Sequence, residues 1–297
     1  MGYPLNTHIL KDKLFLAIIN LLGKPFFSGS AQSAAFLDHL DAISLDLPKL
    51  ERDGSFIKVP AHGLAGFMEA GLRVIHDAGA DAPVVIYHQG GGEIPFDHTI
   101  SAAYPSGSSS GTTVIAVKTP FQTTQEELRD RFVDFNNYVA MIACVVKLTE
   151  ALLQSTELTG AACKVVAGYS LGGFVSGRHH IIYNTADAYI PFVSGTAHAE
   201  IFLTTVKAAA KARRNPEMLR SRLNFTEAWK KADNSNVFPV LGRYDQLNRL
   251  TVQGPSYCGT PFDLWPGGHL YGVQNPQLIR QKIEAVIARF CPSRARA

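Results

Sequence analysis

The run Lys164-Val165-Val166-Ala167-Gly168-Tyr169-Ser170-Leu171-Gly172-Gly173 constrains this chain more than any other stretch. A short apolar β-type segment stops abruptly in Gly-x-Ser-x-Gly and passes straight into a helical pattern. A serine at that junction sits on a tight strand-to-helix turn, its hydroxyl raised above a sheet. The flanking glycines let strand and helix approach closely while the serine takes a strained backbone conformation. That exposure is what a nucleophile needs. The pattern itself is common, and Gly107-Ser108-Ser109-Ser110-Gly111 fits it too. This second match follows Tyr104-Pro105 in a small polar run and reads as a flexible loop, so context selects Ser170.

A chain of 297 residues can bury the deep core of one large α/β domain. Its 18% charged residues fall below the usual share, as expected where strands and helices are covered on both sides. A net charge of +3 is too small to point to nucleic acid or an anionic membrane as the main partner. Lys207, Lys211, Arg213 and Arg214 cluster at helical spacing and read as a solvated helix face.

The four cysteines, Cys144, Cys163, Cys258 and Cys291, lack metal-like spacing, and no metal is expected. Cys163 beside an apolar strand and Cys144 within an amphipathic helix read as buried thiols, with a disulfide left open. Leu14 to Leu22 is a short apolar run after Lys11 and Lys13, with small residues at Ser28 to Ala31. A secretory leader has that outline, but this leading segment is long and contains Pro4 and Asp12. The run is too short to span a bilayer and reads as a helix packed on the domain. A cytoplasmic location is expected, secretion being the lesser reading.

Beyond the N-terminal helices, strands are expected at Ser55 to Val59, Val84 to Tyr87 and Thr113 to Val117. A long helix follows, capped by Thr124 with Glu127, its apolar face carrying Leu128, Phe132, Phe135, Val139 and Ile142. Two further runs, Ala188 to Val193 and Val237 to Leu241, contain Pro191 and Pro239, which count against a central place in a sheet. Asn275 and Pro276 open a last helix with Ile279, Ile283, Val286 and Phe290 on one face. Alternating strands and helices predict an α/β fold with a mostly parallel sheet covered on both faces. The whole chain, 1–297, reads as a single domain with an N-terminal helical extension over 1–50. The polar, helical stretch 196–236 is too long for a simple connection and reads as a cap over a site, a surface decoration being the alternative.

A serine hydroxyl needs a base to take its proton. Of ten histidines, His269 in Trp265-Pro266-Gly267-Gly268-His269 is the best placed, in a turn-rich loop before the final helix; His198 is the alternative. His179 and His180 suit structural roles. The base needs an acid to fix its tautomer, and Asp245, just beyond the Val237 to Leu241 strand, is preferred over Asp263. Negative charge on the substrate oxygen needs donors, and the glycine run of His88-Gln89-Gly90-Gly91-Gly92 offers bare amides.

With these pieces in place the chain resembles the α/β-hydrolase superfamily, from about Ser55 to the C-terminus. Gly168-Tyr169-Ser170-Leu171-Gly172 matches the nucleophile elbow, His88 to Gly92 an HGGG-like oxyanion loop, and the order Ser170, Asp245, His269 is the family's order. The resemblance implies an α/β-hydrolase fold with Ser170, Asp245 and His269 as catalytic residues. It makes the backbone N–H of Leu171 one oxyanion donor. Gln89 departs from the usual His-Gly-Gly-Gly and leaves the other to Gly90 or Gly91.

The expected activity is hydrolysis of small or medium carboxylic esters through an acyl-enzyme, without cofactor. Acyl transfer, lactone, C–C or amide chemistry, or a non-catalytic binder, are the alternatives the fold allows. Phe96, Phe202, Trp229 and Tyr271 are candidate substrate-binding residues. A small-molecule ester is the expected partner, with no nucleic acid and no stable membrane insertion; oligomeric state is not legible.

Overall fold

The computed structural model describes residues 6–291. Two helices, α1 (Thr7–Leu22) and α2 (Phe36–Ala42), precede strands β1 (Ser44–Leu45), β2 (Ile57–Gly63) and β3 (Gly66–His76). Strands and helices then alternate through β4 (Val84–His88), α3 (His98–Ala103), β5 (Thr113–Lys118), α4 (Gln125–Arg131), α5 (Phe135–Leu153), β6 (Lys164–Tyr169), α6 (Leu171–Ile182) and β7 (Ala188–Phe192). Four short helices follow, α7 (Glu200–Thr204), α8 (Ala210–Arg213), α9 (Pro216–Leu223) and α10 (Thr226–Trp229). The described chain closes with β8 (Val240–Gly242), α11 (Leu250–Ser256), β9 (Asp263–Trp265), α12 (Tyr271–Gln274) and α13 (Pro276–Phe290).

All nine strands join one sheet in the order β1-β2-β3-β5-β4-β6-β7-β8-β9. Pairing is antiparallel from β1 to β5 through β2 and β3, and parallel from β5 to β9. The sheet divides the core by simple alternation. Val84 and Ile86 of β4 face one apolar cluster with α5 and α6, while Val85 and Tyr87 face another with α3 and α13. Strand β4 has β5 on one side and β6 on the other. The chain order therefore reverses there, and the loops leaving β4 and β6 open side by side at the carboxyl edge. A doubly wound sheet leaves its crevice at such a point.

Several local expectations are revised. The strand expected at Ser55 to Val59 runs instead over Ile57–Gly63, and the eleven-residue β3 behind it was not anticipated. Gly66, Glu69, Gly71 and Arg73 break its apolar run. The single long helix expected after Thr124 is two, because Asp134 accepts from the Asn136 amide and caps a fresh start at α5. α5 is long and apolar enough to cross a membrane by length and composition, but most of it is buried within the domain.

Pro191 and Pro239 do not push their strands outward, since β7 and β8 lie inside the sheet. Tyr189 and Val193 donate toward the β8 side, to Asn236 and Val240. Pro191, midway between them, lacks the amide for that rung, and the β7–β8 ladder shrinks to Phe192 opposite Val240. Cys163 is not a free thiol either. It forms a disulfide with Cys291, 128 residues away, a separation at which spacing carries no signal. Cys144 stays a buried thiol.

Candidate active site

Ser170 caps α6 with φ 53° and ψ −108°, a left-handed strain that only a rigid surround sustains. Part of that surround is its amide, which donates to Phe192 at the end of β7 at 2.9 Å. The neighbouring glycines are steric requirements. A Cβ on Gly168 would lie 2.3 Å from the Gly172 carbonyl, and one on Gly172 would lie 2.2 Å from the His88 carbonyl oxygen. The second contact presses the start of α6 against the end of β4, so the loop after β4 lies beside the elbow. The other Gly-x-Ser-x-Gly match sits in the exposed loop before β5, at the opposite edge of the parallel strands.

His269 and Asp245 come from the loops after β9 and β8. The Asp245 Oδ2 carboxylate oxygen takes the His269 Nδ1–H at 2.8 Å. Its Oδ1 accepts from the amides of Leu247 at 2.8 Å and Asn248 at 2.7 Å, so the carboxylate is fully engaged though buried. Burial lowers the imidazole pKa, but the Asp245 charge and hydrogen bond, helped by Asp12, outweigh it and leave His269 above the ordinary histidine value. Asp263, the rival acid, opens β9 exposed and pairs with Lys282.

The backbone of His269 is held as firmly as its ring. Its carbonyl accepts from the Tyr169 hydroxyl at 2.5 Å, tying the histidine loop to the residue before the nucleophile. Its amide donates to Asp12 of α1 at 2.6 Å, and the same carboxylate accepts from Gln246 at 3.0 Å. Gly268 makes room for this carboxylate, since a Cβ there would lie 2.6 Å from Asp12 Oδ2. Asp12 lies 257 residues from His269 in sequence, and no short motif joins them. The available signal was a lone carboxylate in an apolar run. Asp12→Ala leaves the buried His269 amide and the half-buried Gln246 amide without acceptors. It is expected to cost about 2–4 kcal/mol of stability in urea denaturation.

In the glycine loop two of the three amides are already bonded. The Gly90 amide is taken by Glu93 Oε2 at 2.9 Å, and the Gly92 amide by Gln122 at 2.7 Å. Gly91 alone of the three has no acceptor among the described residues. A Cβ on Gly91 would lie 3.7 Å from that of Leu171, so the two residues adjoin. Leu171 opens α6, where an amide has no partner inside its own helix. Gln89, the departure from His-Gly-Gly-Gly, braces the loop. Its side chain accepts from Thr119 and donates to Glu93. His88 is buried against Thr149, its pKa pushed down to about 3 by burial and by His179.

No protein-family model and no curated protein sequence matches the chain. Solved structures do match. The acetyl xylan esterase 1 of Thermoanaerobacterium sp. JW/SL YS485 aligns over 96% of this chain and 99% of its own, at 15% identity and TM-score 0.55. The acetyl xylan esterase of Paenibacillus sp. R4 aligns over 96% of each chain, at 13% identity and TM-score 0.54. A peroxisomal α/β-hydrolase of Saccharomyces cerevisiae aligns over 84% of this chain and 89% of its own, at 13% identity and TM-score 0.53. This chain has the α/β-hydrolase fold.

Within that fold, Ser170, Leu171, Gly90, Gly91 and His269 border one cavity of about 620 Å³. Phe202 borders it as expected, and so does His198, whose ring stacks on Phe174 at 4.0 Å and bonds the Tyr138 hydroxyl at 2.8 Å. Burial, then Arg178, pushes the His198 pKa down to about 3; a carboxylate partner like that of His269 is missing from its contacts. Three expected lining residues lie elsewhere. Phe96 packs on Phe56 behind the sheet. Trp229 is fully buried against Tyr257, its indole N–H on Thr260. Tyr271 packs on His8 and Trp265.

Of the stretch 196–236, His198, Ile201, Phe202 and Val206 reach the cavity while Phe225 and Trp229 join the core. Lys207, Lys211, Arg213 and Arg214 face water. Helix α1 supplies much of the remaining wall through Phe15, Ile18 and Ile19. The N-terminal segment, which lay outside the resemblance, is thus part of the site. Among the described residues no group of three or more His, Cys, Asp or Glu could hold a metal ion.

Proposed function

We propose that this protein is a serine hydrolase that cleaves carboxylic esters through an acyl-enzyme. The observation that carries this reading is the buried Asp245–His269 bond at 2.8 Å, on a histidine bordering the same cavity as a strained, half-exposed Ser170. With Nδ1–H committed to Asp245, Nε2 is the nitrogen left to accept a proton. The Ser170 hydroxyl gives its proton to Nε2 as Oγ bonds the ester carbonyl carbon. The Gly91 and Leu171 amides receive the resulting oxyanion. Collapse expels the alcohol, which takes the proton from His269, and water repeats the sequence to release the acid. A largely apolar wall suits the acyl chain of an ester.

A fluorophosphonate probe needs the same activated serine and no knowledge of the substrate. Peptide mass mapping is expected to find the label on Ser170. An unlabelled Ser170 in folded protein would overturn the reading.

A further inference from the structure

Helix α1 is apolar on two sides. Inward, Phe15, Ile18 and Ile19 border the cavity that holds Ser170 and His269. Outward, Leu10, Leu14 and Leu21 stand 54%, 61% and 82% exposed, and Ile18, 48% exposed, lies on the edge shared by the two faces. They are four of the ten large apolar side chains exposed among the described residues, so apolar exposure is concentrated on this one helix. Their spacing of four, four and three residues aligns them in a single stripe. At about 100° of turn per residue, Lys11 and Lys13 fall on opposite flanks of that stripe, and both are exposed. The only carboxylate of the helix, Asp12, is turned inward onto His269 and Gln246. The outer face therefore carries positive charge and no negative charge.

We propose that the outer face of α1 docks this protein on the surface of anionic lipid, and that the cavity beneath the same helix takes esters carried in that lipid. The choice of substrate rests on the ester-hydrolase reading above; the docking does not. An apolar stripe edged by lysines lies flat at the boundary of headgroups and acyl chains, the leucines below and the ammonium groups among the phosphates. With sixteen residues α1 is shorter than a spanning helix, so it rests on the surface. A second copy is a poorer occupant, because this face of α1 offers no carboxylate for the partner's lysines to meet, whereas lipid phosphates do. The small overall charge is no obstacle, since what acts on a surface is the local charge of the face presented.

Flotation of the full chain with vesicles tests this directly. The wild type is expected to float with phosphatidylcholine vesicles containing a third phosphatidylglycerol, and far less with phosphatidylcholine alone. Leu14→Ser/Leu21→Ser, which spares the cavity wall, is expected to lower the bound fraction at least tenfold. Lys11→Glu/Lys13→Glu is expected to do the same, and 0.5 M salt to reproduce much of that loss. The Leu14/Leu21 variant should keep wild-type turnover of water-soluble p-nitrophenyl acetate while losing hydrolysis of a long-chain ester held in the vesicles. Flotation without any esterase activity would leave the docking standing and sink the activity. A wild type that does not float, or a leucine variant that floats equally, overturns the docking. So does a wild-type dimer in light scattering that the leucine variant dissolves.

Discussion

Ser170→Ala is expected to lower kcat by on the order of 10⁵-fold or more, and His269→Ala by nearly as much, with the fold retained in both. The size follows from the chemistry. Without Oγ no acyl-enzyme forms, and without the imidazole the hydroxyl keeps its proton. Because the pair acts as one unit, the double variant should be scarcely worse than either single one. The fold survives because the elbow is held by other atoms, the Ser170 amide on Phe192 and the close approach of Gly172 to His88. Ser109→Ala, in the exposed loop at the far edge of the sheet, should be silent. Burst and steady-state kinetics on p-nitrophenyl esters measure the wild type, these four variants and His198→Ala. Retained turnover by purified Ser170→Ala, or loss in His198→Ala but not in His269→Ala, would overturn the assignment.

The parts of the site legible in sequence are those built by local geometry. An elbow needs its glycines within two residues of the serine, so Gly168 and Gly172 announced Ser170. The low share of charged residues and the alternation of strands with helices likewise announced a sheet covered on both faces, and Val84 and Ile86 do face one apolar cluster while Val85 and Tyr87 face the other. Distant contacts leave no such mark. Asp12 and His269 meet across 257 residues, and Cys163 and Cys291 across 128. The aromatic residues show the same limit. Phe202 and Trp229 look alike in sequence, yet α7 turns one to the cavity and α10 buries the other under Tyr257. The choice between Gly90 and Gly91 depended on where the Glu93 side chain folds back, which loop sequence does not state.

Asp245→Asn is expected to cost about 10⁴-fold in kcat, because an amide can hold His269 in the wrong tautomer and no longer stabilises the imidazolium. The pH profile gives a sharper reading than the rate. On the proposed mechanism catalysis needs a neutral His269, so kcat/KM is expected to fall about tenfold per pH unit below the imidazole pKa. In the wild type burial pulls that pKa down while the Asp245 charge and hydrogen bond, with Asp12, carry it above the ordinary value of 6.5. The acid limb should therefore lie above pH 6.5. Removing the Asp245 charge leaves burial dominant, and the residual activity of Asp245→Asn should keep its plateau to lower pH than the wild type. Asp12→Asn removes only the weaker of the two charges, so its limb should move the same way by less, with a smaller fall in kcat. Profiles of kcat/KM from pH 4.5 to 9 on the three proteins read both shifts. A limb that stays put in Asp245→Asn would mean that the titrating group is not His269.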